Sequence, residues 1–161
     1  MACQYKKTGL ISNLRFGESI LLGRETVNGE NVPGLYQDAF CLVSEVIEVK
    51  SKPSRPFGET GSNAFGERLL FKDNGMMNRA IIGLGRQDVM VKGLEPLQPV
   101  DIIGSSSDHI ILNAKNMKIS PGDLIKFSLN YGALLSVMTS PYIYKKSIYR
   151  KSSHAISKNL A

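Results

Sequence analysis

Five consecutive residues, Arg15-Phe16-Gly17-Glu18-Ser19, carry the clearest chemical pattern in this chain. A glycine after an extended segment lets backbone N–H groups approach a phosphate, and the residues behind it can open a helical turn whose dipole favours an anion. The same five residues also suit an ordinary strand-to-turn junction, and alone they do not decide between the two. Self-contained catalytic signatures are absent elsewhere. There are two histidines, no Ser-His-Asp spacing, no HExxH and no cluster with metal-ligand spacing, so no metal is expected. Gly83-Leu84-Gly85 begins like a dinucleotide fingerprint but has Asp88 where the third glycine belongs, and it reads as the end of a strand.

The elements that must position these residues read as strands. Short apolar runs, Phe40 to Val49, Arg79 to Leu84, Val89 to Val91, Val100 to Ile103, His109 to Asn113, Leu124 to Leu129 and Ala133 to Met138, are divided by Gly, Pro, Asn and Asp. Asn28-Gly29, Pro33-Gly34, Asn74-Gly75 and Pro121-Gly122-Asp123 supply the chemistry of tight turns, so strand direction is expected to reverse near each. No sustained helical period runs through the first 140 residues, which points to a mainly β barrel or sandwich. Only the segment after Ile143 is left for a helix. Residues 50–67, KSKPSRPFGETGSNAFGE, are expected to form a long exposed loop of the kind that often carries function.

With 161 residues the chain suits one domain, and its hydrophobic fraction of 42% allows a real core. No apolar run approaches the roughly eighteen residues of a spanning helix, and the first ten residues lack a secretory signal. A cytoplasmic protein without a membrane partner is expected. Cys3 and Cys41 form no disulfide framework, and Cys41 is expected as a small buried residue of a strand. The net charge of +6 is concentrated at one end: Lys145, Lys146, Arg150, Lys151 and Lys158 have no acidic neighbours, leaving 15 basic against 14 acidic residues in the body. Such a tail can meet phosphates, but a solvated extension explains it as well, and no interleaved aromatics argue for nucleic acid. No nucleic-acid partner is expected.

Six segments in order carry a resemblance to a family. LRFGESILLGRET at 14–26, KPSRPFGETGSNAFGE at 52–67, RAIIGLGRQD at 79–88, DIIGSSSDHIIL at 101–112, SPGDLIKF at 120–127 and LNYGALLSVMTSPYI at 129–143 together resemble the carboxy-terminal region of the alanine racemase superfamily. The ornithine racemase-like branch is the most similar, and the resemblance runs from about Gly9 to Tyr144. It implies a pyridoxal 5'-phosphate enzyme with an amino-terminal (β/α)8 barrel, which bears the cofactor lysine, followed by a mainly β domain. By that division residues 1–34 are a remnant of the last barrel strand and its connection, 35–144 the carboxy-terminal β domain, and 145–161 the basic tail. The implied reaction interconverts L- and D-amino acids by removing the α-proton and returning one to the opposite face. A homodimer, or a partner chain carrying the barrel, is the implied assembly, and an amino acid the implied substrate.

Carried over by position, Arg15 matches the arginine that meets the pyridine nitrogen. Gly17 and Glu18 match the positions whose N–H groups bind the cofactor phosphate, and Tyr131 matches a tyrosine that reaches the same phosphate. Ser106, Ser107 and Asp108 fall where the family meets its substrate. They would present N–H groups and hydroxyls to a carboxylate, or Asp108 to a basic side chain; a polar strand start is the plainer alternative. His109 reads as structural.

The departures are informative too. Where alanine racemases have Gly-Tyr-Ala-Asp, with the tyrosine as second base, this chain has Gly85-Arg86-Gln87-Asp88. An arginine cannot act as that base, so alanine is a less suitable substrate. Asp108 and Asp88 remain the acidic candidates for catalysis, Asp88 with a structural reading beside it. The lysine-bearing barrel is missing, and Lys6 and Lys7 lie too close to Arg15 to replace it, so the isolated chain is expected to be inactive. Residues Leu10 to Leu22 are expected as an apolar edge prone to association. The alternative in another class is a non-catalytic β module that binds a protein partner or a small ligand.

Overall fold

Leu42, Ser44 and Val46 are buried and alternate with exposed Val43, Glu45 and Ile47, the period-two pattern of a strand with one covered face. In the computed structural model, which describes residues 15–58, 61, 62, 66 and 73–148, they open strand β1 (Leu42–Pro53). β1 pairs antiparallel with β6 (Leu124–Leu129) through Leu42 to Glu45 and with β2 (Met76–Ile82) through Val46 to Pro53. A register irregularity between Val46 and Glu48 separates the two pairings. Bulges of this kind add bend and twist, and here one lets a single strand serve both halves of the sheet. With β3 (Leu94–Pro96), β4 (Asp101–Ser105) and β5 (Ile110–Asn113) the order is β3-β6-β1-β2-β5-β4, every pairing antiparallel. The sheet curls into a nearly closed, barrel-like form.

Phe127, Ile82, Ile110, Leu112, Ile125 and Val46 fill the interior. Each such side chain contributes about 1.5–3 kcal/mol by leaving water. Gly75 (φ 73) and Gly122 (φ 94) hold left-handed turns ahead of β2 and β6, as Asn74-Gly75 and Pro121-Gly122 led one to expect.

Four expectations are corrected. Residues 50–53, expected as the start of the loop 50–67, instead continue β1 and pair with β2. Ala133 to Met138 is helical: it lies in α2 (Tyr131–Thr139), where the Asn130 side chain accepts a hydrogen bond from Ala133 N at 2.9 Å and caps the helix. Ala133, Leu134 and Val137 form its buried stripe, and a run of six residues is too short to separate this from a strand by period alone. Val89 to Val91 leads from a turn into a 3-10 segment, Val91–Gly93, instead of forming a strand. Cys41 is exposed, because it precedes β1 and stands out of phase with its buried positions.

Of the expected apolar edge Leu10 to Leu22, residues 10–14 lie outside the described residues, and Glu18 to Leu22 form helix α1 (Glu18–Leu22). Cys3 and most of the basic tail also lie outside them. Among the described residues no helix is long and apolar enough to cross a membrane.

Candidate cofactor and substrate site

Two loops that the sequence sets twenty residues apart are docked on each other. After β2 the chain turns through Gly85 to Asp88: Asp88 N donates to Gly85 O at 3.1 Å, and the Asp88 carboxylate accepts from Gly85 N at 3.0 Å. Asp88 is buried, so this carboxylate is committed to holding the turn. The second loop joins β4 to β5. Its Ser106 N donates to His109 O at 2.8 Å. Arg86 N donates to Ser106 O at 3.0 Å, Gln87 N to Ser107 O at 2.9 Å, and Arg86 Nε to Ser105 Oγ at 2.9 Å. Gly85 lies so close that a Cβ there would strike Ser107 O and Asp108 N.

Asp108 projects from this pair of loops with its side chain 55% exposed. Ser107 Oγ donates to its carboxylate at 2.9 Å and Ser106 Oγ at 3.3 Å, while His109 Nδ1 stands at 3.4 Å. The Ser107 hydroxyl above all, with the nearby His109 and the Ser106 hydroxyl, holds the Asp108 carboxyl below the usual aspartate range. A carboxylate so held stays charged at neutral pH and is a poor proton acceptor there. It suits the reception of a cation.

Arg15, Phe16 and Gly17 lead into α1, and all three are exposed. Ile20 N and Leu21 N both return to Gly17 O at 3.2 Å, and no side chain caps this helix start. Among the described residues the side chains of Arg15, Glu18 and Tyr131 have no hydrogen-bond or ion-pair partner. A Cβ at Gly17 would meet nothing within 4 Å. Helix starts leave their first N–H groups free for an anion. An unengaged guanidinium, an open helix start and a free phenol are therefore donors chemically fit for the ring nitrogen and phosphate of pyridoxal phosphate.

The hydrogen bonds thus join the Gly85 to Asp88 turn with the Ser105 to His109 loop, and they leave Arg15, Gly17, Glu18 and Tyr131 outside that network. Ser105 was not singled out from sequence, nor was Gly85 as a contact. No group of three His, Cys, Asp or Glu able to hold a metal occurs among the described residues.

No family model matches the chain. Curated relatives do: it is 45% identical over 139 residues to an ornithine racemase of Acetoanaerobium sticklandii. It is 42% identical over 137 residues to a lysine racemase of Thermotoga maritima. Each match takes in 84% of this chain, and the chain spans 39% of the length of these relatives. Over most of its length the chain is a homologue of the ornithine and lysine racemases, consistent with an alanine racemase-like carboxy-terminal region.

Proposed function

We propose that this chain supplies the carboxy-terminal part of a pyridoxal-phosphate-dependent racemase acting on a basic amino acid such as ornithine or lysine. The observation that carries this reading is the 45% identity to an ornithine racemase over 84% of the chain. The exposed, ionised Asp108 supports the basic substrate, since it can meet a side-chain ammonium where the apolar pocket of a small amino acid would have no use for it.

Pyridoxal phosphate, when bound, contributes the electron withdrawal that acidifies the substrate's α-proton. Arg15 would donate to the pyridine nitrogen and, because a guanidinium keeps its proton, would not pass one to the ring. That limits electron withdrawal and suits return of a proton to the α-carbon. The N–H groups of Gly17 and Glu18 and the Tyr131 hydroxyl would hold the phosphate. Ser106 and Ser107 offer donors to the substrate carboxylate.

Asp108 receives the cation, and Asp88 holds its turn; neither is assigned the second proton transfer. Arg86 is excluded from that step because its guanidinium is already protonated near neutral pH and cannot take up a further proton. The rest of the site comes from the region that the relatives possess outside the match, on the same polypeptide or a partner, and a cytoplasmic homodimer is the proposed assembly. The isolated chain is proposed to be inactive.

The test joins this chain to the unmatched region of the Acetoanaerobium sticklandii ornithine racemase and measures D-ornithine formed from L-ornithine. Turnover that is lost in Arg15→Ala supports the reading, and a folded, cofactor-loaded joined protein without turnover overturns it.

A second reading, a non-catalytic β module that binds a protein partner, draws on the exposed Tyr131, Leu135 and Met138 along α2. Residues so spaced lie along one helix face. Turnover in the joined protein decides between the two.

A further inference from the structure

The loop that carries Asp108 is the tip of a hairpin, since β4 and β5 pair up to Ser105 and Ile110 and leave residues 106–109 beyond the sheet. Exposed tips of this kind are the mobile parts of a fold. The groups that reach the Asp108 carboxylate, the Ser106 and Ser107 hydroxyls as donors and the His109 ring beside them, all belong to the same tip. They can shape the carboxylate but cannot locate it relative to the rest of the molecule. Location has to come from outside the hairpin. The contacts that provide it come from the turn after β2: Arg86 N to Ser106 O, Gln87 N to Ser107 O, Arg86 Nε to Ser105 Oγ, and the close seat of Gly85 on Ser107 and Asp108.

We propose that Gly85, Arg86 and Gln87 are positioning residues for the substrate: their turn clamps the Ser105 to Asp108 segment and sets where the Asp108 carboxylate stands. The inference rests on the reading of Asp108 as the receiver of a side-chain ammonium. Each part of the clamp uses what its residue type allows. Gly85 is needed because a side chain would displace the very backbone it seats. Arg86 reaches Ser105 with a rigid, always-protonated donor. Asp88, buried beneath the turn, keeps Gly85 in place through its N–H. Arg86 is thus engaged with the segment that presents the substrate contact, and this gives a task to the residue that stands where alanine racemases carry their tyrosine.

The experiment uses the full chain, isotopically labelled, and reads amide hydrogen exchange in wild type, Arg86→Gln and Ser105→Ala. Exchange at Gln87, Ser106 and His109 is expected to speed up about fivefold to tenfold in either variant, the worth of one lost hydrogen bond, with Val46 and Leu112 in the sheet unchanged. The double variant should be no faster than the faster single one. Unchanged exchange at these three amides in both single variants overturns the clamp. Gly85→Ala adds a second route to the same segment and is expected to shift Ser107 and Asp108 most. L-ornithine is the probe for the substrate side: its effect on the Asp108 carboxyl carbon signal should need several-fold more ornithine in Arg86→Gln than in wild type. This arm uses the chain joined to the unmatched region of the ornithine racemase and loaded with pyridoxal phosphate; if ornithine leaves Asp108 unmoved there in wild type, the ammonium-receiving reading fails with the positioning role built on it, while the exchange rates still decide the clamp itself.

Discussion

The Asp88 carboxylate and the Gly85 N–H face each other at 3.0 Å across a turn from which water is largely excluded. A buried donor that loses its acceptor costs about 1–3 kcal/mol. Asp88→Ala is therefore expected to lower stability by that amount, seen as an earlier urea midpoint with an unchanged slope. An unaltered midpoint would mean that Asp88 is not the support of this turn.

Asn130 holds the start of α2 twice, through its side chain to Ala133 N at 2.9 Å and through its own N–H to Gly93 O at 2.9 Å. Loss of such a cap costs about 0.5–2 kcal/mol. Asn130→Ala should show this loss in thermal unfolding, together with faster amide exchange at Ala133. Gly93→Ala should reproduce it by another route, because a Cβ at 93 would run into the Asn130 side chain.

Glu25 gathers the N–H groups of Val27, Asn28 and Glu30 on one carboxylate, at 2.7, 2.5 and 3.0 Å. These backbone donors, that of Glu30 foremost, hold its carboxyl below the usual glutamate range. A depressed folded-state value contributes stability that is present above the unfolded value and is lost as pH falls through the folded one. The turn over residues 25–30 should accordingly loosen on acidification below the ordinary carboxylate range. Amide shifts of Val27, Asn28 and Glu30 should track this titration, and Glu25→Gln should remove it.

Phe127 is fully buried at the junction where β6 meets both β1 and β3. Phe127→Ala should cost about 3–5 kcal/mol in equilibrium unfolding. A loss below 1 kcal/mol would contradict its place in the core.

Sequence made the strands legible where turn residues divide them. Phe40 to Val49 stands out as an apolar run, although which of its faces is buried does not, since Ser44 is covered and Val43 exposed, and Asn74-Gly75 marks a reversal with a backbone reason behind it. α2 was not legible as a helix, since Ala133 to Met138 is too short a run to show a period and its one decisive residue, Asn130, works as a cap only once the chain turns there. The candidate site divides in the same way. Arg15, Gly17 and Ser106 to Asp108 stand out by residue type and order. The Gly85 seat and the Arg86 to Ser105 contact do not, because they join segments about twenty residues apart that only the pairing of β2 with β5 brings together.

The most direct measurement is the fate of the α-proton of L-ornithine. This chain, joined to the unmatched region of the ornithine racemase and loaded with pyridoxal phosphate in deuterium oxide, is followed by proton NMR and chiral chromatography. The α-proton signal is expected to disappear while D-ornithine accumulates carrying deuterium at that carbon. Retention of the α-proton and of the L configuration by a folded, cofactor-loaded protein would contradict the proposed racemase reaction.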